Sequence, residues 1–169
     1  DPDGGSIWLY IILLIVLIFV NAFFAMSEIA IISLNDVKLH KMAQSGNKKA
    51  GILAGMVTQP SKFLATIQVG VTLSGLLASA VAADTFAEYI VLAFTGTGVN
   101  PGLVRGISLV VITVVLSFFT LVFGELVPKR LAMNRSEKIS FAIARPLRVI
   151  YAIEKPFVSF LSWFTNLVL

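Results

Sequence analysis

Three apolar stretches dominate this chain, and each is long enough to cross a lipid bilayer. They cover about residues 7–32, 63–83 and 103–128, and the second can be extended to 94. A transmembrane helix needs about 20 apolar residues, because a helix rises about 1.5 Å per residue through a hydrocarbon core about 30 Å thick. Backbone polar groups in that core must be satisfied within the segment. The sequence therefore predicts an all-α integral membrane protein with three spans.

Composition agrees with this fold class and argues against several others. Hydrophobic residues make up 57% of the 169 residues and charged residues only 13%, which is not typical of a soluble domain. The first stretch is too long for a signal peptide and lacks its basic start and its cleavage site. The sequence lacks the basic patch, interleaved with aromatic residues, that would indicate nucleic-acid binding. We interpret residues 1–169 as a single transmembrane domain.

Basic residues in the connecting segments predict the orientation of the spans, because cytoplasmic loops retain an excess of Lys and Arg. Five lysines lie between the first and second spans, and the residues before the first span carry only the acidic Asp1 and Asp3. Four basic residues follow the third span: Lys129, Arg130, Arg135 and Lys138. We therefore place the N-terminus outside the cell membrane and the C-terminus in the cytoplasm.

The C-terminal segment has two interpretations. Residues 137–155 mix apolar and charged side chains, and Phe157 to Leu169 is an apolar run of 13 residues, which is short for a span. We favour amphipathic helices at the cytoplasmic surface, with Trp163 at headgroup level. A fourth, tilted span is the alternative. Because the chain stops within an apolar run, we expect it to be the membrane part of a longer protein.

The third stretch ends in "LVFGELVPKR", which places a carboxylate close to a proline. Pro128 has no N–H, so the carbonyl of Gly124, four residues earlier, loses its helical partner. That carbonyl and the adjacent Glu125 carboxylate are together a candidate cation site. Alternatively, Pro128 simply ends the helix at the membrane interface and Glu125 pairs with Lys129, four residues further on. Spacing alone leaves both interpretations open.

The second stretch carries small residues at helical spacing. Gly70, Ser74 and Ala78 recur at every fourth residue, and Gly75 widens the same face. This spacing allows two helix backbones to approach closely, and packing is its commoner use. Close approach would also bring the Ser74 hydroxyl and nearby carbonyls within reach of a neighbouring helix.

The first stretch contributes "NAFFAMSE" near its inner end. Asn21 and Glu28 share a helix face, and Ser27 lies about 100° around the helix from Glu28. Spacing alone slightly favours a surface position for Glu28 over a role as a metal ligand. Together the three spans supply hydroxyls, carbonyls and one or two carboxylates, and such oxygen donors suit Mg²⁺, Ca²⁺ or Na⁺ rather than zinc or copper.

The residue pattern does not indicate an enzyme. The spans contain no HExxH zinc motif and no Ser/His pair for nucleophilic chemistry, and the one histidine, His40, falls in a connecting segment. Two other classes stay open beside a cation transporter. One is a membrane anchor and dimerisation module for a cytoplasmic regulatory domain. The other is a proton-coupled carrier of another substrate, with Glu28 or Glu125 as the proton site.

Three segments resemble the transmembrane domain of the CorC and cyclin M (CNNM) magnesium transporters. They are "NAFFAMSEIAIISL", "PSKFLATIQVGVTLSGLLASA" and "FGELVPKRLA", and the resemblance covers nearly the whole chain. It implies a homodimer of three-span protomers, with juxtamembrane helices at about 35–58 and 136–169. It also implies that the full-length protein continues into CBS-type nucleotide-binding modules, which these residues do not include.

The resemblance further implies transport of Mg²⁺, as export coupled to entry of Na⁺, with a dehydrated Mg²⁺ held among the helices. The implied metal ligands are four residues: Ser27, Ser74, Gly124 through its carbonyl, and Glu125. Four further residues are expected to support the site: Pro128, Gly70, Gly75 and Glu28. We also expect the dimer interface to use small or flat faces of the second and third spans, with Gly70 and Ala78 in contact with the second protomer.

Overall fold

The described part of the chain is helical from end to end. The computed structural model describes the backbone of residues 4–169 and the side chains from residue 7 onward, so Asp1 and Asp3 lie outside it. The helices are α1 (Gly4–Ile32), α2 (Asp36–Gln44), α3 (Lys48–Val57), α4 (Pro60–Ala93), α5 (Pro101–Leu121), α6 (Val127–Asn134) and α7 (Ser136–Val168), with a π-helical turn at Val122–Leu126. Residues 4–169 contain no strand, which confirms the all-α class.

Three helical segments are long and apolar enough to cross a membrane, as predicted. They are Ile7–Ile32, Pro60–Ala93 and Pro101–Asn134. The second is one continuous helix through Ala93. The third comprises α5, the π-helical turn and α6, so the helical path does not end at Pro128. Pro128 lies in the first turn of α6 and has no N–H for the carbonyl four residues back, so the helix continues past it without that one hydrogen bond.

The starts of the helices follow from short polar signals in the sequence. Asn35, Asn47 and Asn100 each accept a hydrogen bond from a backbone N–H two or three residues further on, at 3.0, 3.1 and 2.8 Å. These bonds satisfy amide groups that have no partner within the helix. Pro60 and Pro101 begin α4 and α5, at the position where a missing N–H costs nothing.

Helices α1 and α4 form the centre of the bundle. Helix α4 packs along α1 on one side and α5 on another, while α1 also packs against the π-helical turn and α6. The main core forms where α1, α3, α4, α6 and α7 meet, and includes the buried side chains of Phe24, Leu53, Phe63, Ile67 and Leu147. A smaller cluster joins Leu14 of α1 to Ala78 and Ala82 of α4. The spans are therefore held together most firmly near the end that carries the connecting helices.

The small residues Gly70 and Ala78 serve packing inside one chain. A Cβ at Gly70 would collide with the ring of Phe24 on α1. Ala78 is buried at 2% exposure beside Leu14. The expectation that these two residues contact a second protomer is therefore wrong, because α1 already covers them. Gly75, by contrast, faces open space, since no atom lies within 4 Å of where its Cβ would be.

The connecting and C-terminal helices are held to the bundle by apolar and ionic contacts. α7 packs against α1, α3 and α4 through buried residues that include Ile143, Ala144 and Leu147. Lys38 of α2 also pairs with Glu137 of α7 at 2.8 Å, with both side chains largely exposed. α7 is not among the three candidate spans. The position of α2, α3 and α7 at a cytoplasmic membrane surface stays a prediction.

Candidate metal site

The third span widens at Val122–Leu126, the segment that contains Gly124 and Glu125. The N–H of Val127 donates to the carbonyl of Val122, five residues back, which is the π-helical pattern. Such a turn shifts the register of the backbone carbonyls and is frequently found at functional sites. Pro128 lies two residues after the end of this turn and is buried. The sequence predicts the break through this proline but does not predict the wider turn.

Asn21 of α1 joins the three spans at one point. Its Nδ2 donates to the carbonyl of Gly124 at 3.0 Å, and its Oδ1 accepts from the hydroxyl of Ser74 at 3.1 Å. Asn21 is 1% exposed and Ser74 3% exposed. Gly124 must be small here, because its Cβ would lie 2.9 Å from the Asn21 Nδ2. We call these three residues the Asn21 cluster.

The carbonyl of Gly124, which the sequence predicts to lack a helical partner, has a hydrogen-bond partner on another helix of the bundle. The Gly124 carbonyl is satisfied by the Asn21 amide rather than left free. An unpaired carbonyl in the hydrocarbon region would cost several kcal/mol, so a partner of this kind is required in a membrane span. The Asn21 amide holds one of the two lone pairs of this carbonyl, and the other has no side-chain donor among the described residues.

Ser74 brings further oxygen atoms to the cluster. Its hydroxyl lies 2.8 Å from the carbonyl of Gly70 and 3.1 Å from that of Val71, as well as near Asn21. A hydroxyl carries one proton and two acceptor lone pairs, so it donates to one of these oxygens at a time. The lone pairs of Ser74 accept no hydrogen bond from residues 7–169, which leaves them available to a cation.

Ser27 is buried away from the Asn21 cluster. It is fully buried, and its hydroxyl donates to the carbonyl of Phe23 in the preceding turn at 2.6 Å. Six residues separate it from Asn21, which places it about 120° away around the helix. No hydrogen bond among the described side chains connects Ser27 to the cluster. The structure therefore brings Ser74 and Gly124 together but does not join Ser27 to them.

Glu125 follows Gly124 and is half-buried. Its carboxylate has no hydrogen bond or ion pair with any residue of the described chain. Lys129 instead lies 3.3 Å from the carboxylate of Glu28 on α1. The alternative in which Glu125 pairs with Lys129 is therefore wrong. Glu125 is left as an uncompensated carboxylate one residue from the cluster.

The expected supporting residues divide into two groups. Gly70 contacts Ser74 through its carbonyl, Pro128 follows the π-helical turn, and Glu28 holds Lys129. Gly75 has open space around it and makes no contact with the cluster. Across the described residues, no three His, Cys, Asp or Glu side chains gather into a metal-binding group. A cation here would be bound mainly by neutral oxygens and one carboxylate.

Asn21 is the residue that the sequence-based ligand set lacks. Its sequence signal is a lone amide in an apolar span, which is costly unless it is hydrogen-bonded and is therefore usually turned toward the interior of a bundle. Spacing within α1 places Asn21 on the same helix face as Glu28. Only the packing of α1 on α4 and on the π-helical turn brings it to Ser74 and Gly124.

Comparison with known proteins gives the same class of membrane domain. Residues 12–169 match the family model of the cyclin M transmembrane N-terminal domain. The chain is 32% identical over 166 residues to the UPF0053 protein sll0260 of Synechocystis, covering 98% of this chain and 37% of that protein. It is 29% identical to the UPF0053 protein YugS of Bacillus subtilis, covering 91% of this chain and 36% of that protein.

A further relative is the UPF0053 inner membrane protein YfjD of Escherichia coli, which is 28% identical over 150 residues, 89% of this chain and 32% of that protein. The chain spans about a third of the length of the curated relatives it matches. The match to the family model covers almost all of the described spans, including the Asn21 cluster and Glu125. This chain therefore belongs to the cyclin M (CNNM) transmembrane domain family.

Proposed function

We propose that this domain transports Mg²⁺ across the cell membrane and that the ion binds at the Asn21 cluster beside Glu125. The observation that carries the proposal is the convergence of three spans on buried oxygen atoms through the two hydrogen bonds of Asn21. Polar groups at such a depth are expensive and commonly mark ion pathways. Membership of the cyclin M transmembrane family supports the same function.

The donor set fits the coordination chemistry of Mg²⁺. This ion prefers octahedral oxygen coordination at about 2.1 Å and gives up its water reluctantly. The Ser74 hydroxyl, the Asn21 Oδ1 and the Gly124 carbonyl are neutral oxygens, so the charge must come from Glu125. A carboxylate attracts a cation far more strongly in a low-dielectric site than in water.

Binding in this way requires a rearrangement of Asn21. Its Nδ2 holds one of the two lone pairs of the Gly124 carbonyl, and the positive end of the amide would repel a cation bound at the other. Rotation of the amide would turn the donor away and present Oδ1 to the ion. Asn21 would thereby exchange one bond across the helix interface for coordination of the ion.

The remaining features of the proposal are inferred from the family and from the basic residues of the connecting segments. Transport is export of Mg²⁺ coupled to entry of Na⁺, with the same oxygens serving both ions in alternation. The N-terminus lies outside and the C-terminus in the cytoplasm. The working unit is a homodimer, and the full-length protein carries CBS-type nucleotide-binding modules. Ser27 is a ligand only if α1 rotates from its present position.

One other function has an observation in its favour. A non-transporting anchor and dimerisation module needs no metal site, and the described residues contain no group of three acidic, His or Cys side chains. In that case the Asn21 cluster would only hold the three spans in register.

The deciding experiment compares Mg²⁺ flux in proteoliposomes for Ser74→Ala and Ser61→Ala, with and without a Na⁺ gradient. Both substitutions remove one hydroxyl from α4, but Ser74 is buried in the cluster whereas Ser61 is exposed at the start of the helix. We expect the wild type and Ser61→Ala to carry Mg²⁺, faster when a Na⁺ gradient points in the opposite direction, and Ser74→Ala to lose most of this flux. Flux no higher than in empty liposomes would favour the anchor.

A further inference from the structure

A long apolar groove lies between α1 and the third span, with the second half of α4 as its floor. Its volume is about 1200 Å³. Lining residues extend from Ile11 to Met26 on α1, from Ala82 to Ala93 on α4 with Phe94 just after it, and from Val111 to Leu131 on the third span. From Ile11 to Met26 a helix rises about 22 Å. The groove is therefore longer than one leaflet of the hydrocarbon core, about 15 Å.

The lining side chains favour a lipid over another helix as the occupant. Phe19, Phe119 and Phe123 line the groove and are 69%, 45% and 54% exposed. Helices associate in membranes through small residues that let their backbones approach, and bulky aromatic rings prevent this. Two exposed hydroxyl-bearing residues of α4, Thr72 and Ser79, lie outside the groove. A flexible acyl chain can fill the irregular space between such rings.

The segment that lines one end of the groove carries two cations in its sequence. Pro128 and Leu131 form part of the lining, and Lys129 and Arg130 lie between them in the sequence. Lys129 is engaged by Glu28, whereas Arg130 is exposed and has no ion pair among the described residues. A guanidinium binds phosphate through paired hydrogen bonds and is the side chain best suited to it.

From the groove and its terminal cation we infer a binding site for an anionic phospholipid. One acyl chain lies along the groove, and the phosphate is held by Arg130. The chain would contact Phe123 and Pro128, which flank Glu125. A bound lipid would therefore limit how far the π-helical turn can move. The inference does not depend on which ion, if any, the domain transports.

The test measures lipid binding directly. The detergent-purified protein is stripped of lipid and mixed with phosphatidylglycerol or phosphatidylcholine of identical chains, and retained lipid is counted by native mass spectrometry. We expect wild type to retain phosphatidylglycerol in preference. Arg130→Gln should weaken that binding about tenfold or more and remove the preference, because it deletes a charged hydrogen bond. Arg148→Gln, which removes an exposed cation from α7, is the control and should bind as wild type does.

The groove itself is tested by filling it. Ala22→Phe and Ala93→Phe each add a ring to a lining residue that is at least partly accessible, at two separate places along the groove. Both should reduce retention of both lipids, and agreement between them guards against a folding defect in one. Equal retention of the two lipids by wild type, or equal loss in Arg130→Gln and Arg148→Gln, would overturn the headgroup assignment. Unchanged retention in both filled variants, or dissolution of a dimer by them, would overturn the groove as a lipid site.

Discussion

At the scale of single residues, Asn21 has the largest consequence for this domain. Its amide donates a hydrogen bond to a carbonyl of the third span and accepts one from a hydroxyl of the second. Asn21 therefore links all three spans. The amide form suits this role because its donor and its acceptor are on separate atoms, which can face two different spans. A carboxylate of similar size has no donor at neutral pH, and a hydroxyl presents its donor and its acceptors from a single atom.

Asn21→Leu tests that link. The substitution keeps the volume but leaves the Gly124 carbonyl without a partner, which should cost about 1 to 3 kcal/mol of stability. It also removes Oδ1, so stabilisation by added Mg²⁺ should disappear. Both effects are measured by thermal unfolding in detergent with and without Mg²⁺. Thr113→Val, which deletes an exposed hydroxyl from α5, is the control. An Asn21→Leu protein as stable and as Mg²⁺-responsive as this control would contradict the assigned link.

At the scale of elements, the spans follow from the sequence while the site follows from how they pack. Lengths of apolar sequence predict the three spans because the thickness of the bilayer sets them. Pro128 predicts the end of a helix less well. It follows the π-helical turn and lies in the first turn of α6, so the helical path continues past it. The role of Asn21 depends on the register of α1 against two other helices. No pattern within a single helix encodes that register.

Pro128→Ala tests the π-helical turn. Alanine at 128 offers an N–H to the Gly124 carbonyl, four residues back, in competition with Asn21. We expect the turn to tighten toward regular α-helix and the affinity for Mg²⁺ to fall, while the protein still folds. The readout is the increase in melting temperature caused by Mg²⁺. Pro60→Ala at the start of α4 should leave that increase unchanged. The same increase in Pro128→Ala as in wild type would remove the turn from the account.

At the scale of the whole molecule, packing within one chain limits how a homodimer can form. Gly70 and Ala78 pack against α1 of the same chain. Only the rest of the small face that the sequence indicates is therefore left for contact with a second protomer. Thr72, Gly75 and Ser79 stay at least partly exposed on α4. Small and hydroxyl-bearing residues favour helix association in a membrane. The proposed homodimer is therefore expected to use this second part of the face.

Gly75→Leu tests the dimer face without disturbing the chain itself. Because a Cβ at Gly75 meets no atom within 4 Å, the added side chain should be accommodated in the protomer. It should block close approach of a second α4 and increase the monomer fraction in light scattering. Gly51→Leu on α3, where a Cβ also meets no atom within 4 Å, is the matched control. An unchanged dimer would place the interface on another face of the molecule.

The charge at Glu125 decides between a transporter and an anchor, and Mg²⁺ binding by calorimetry in the same lipid measures it most directly. Glu125→Gln keeps the shape of the side chain and deletes its charge. We predict a loss of about a hundredfold or more, since removing one partner of a buried charge interaction costs about 3 to 5 kcal/mol. Glu137→Gln, which breaks the exposed pair with Lys38, should change binding little. A loss of only a few fold in Glu125→Gln, comparable to that control, would contradict a metal site at the π-helical turn.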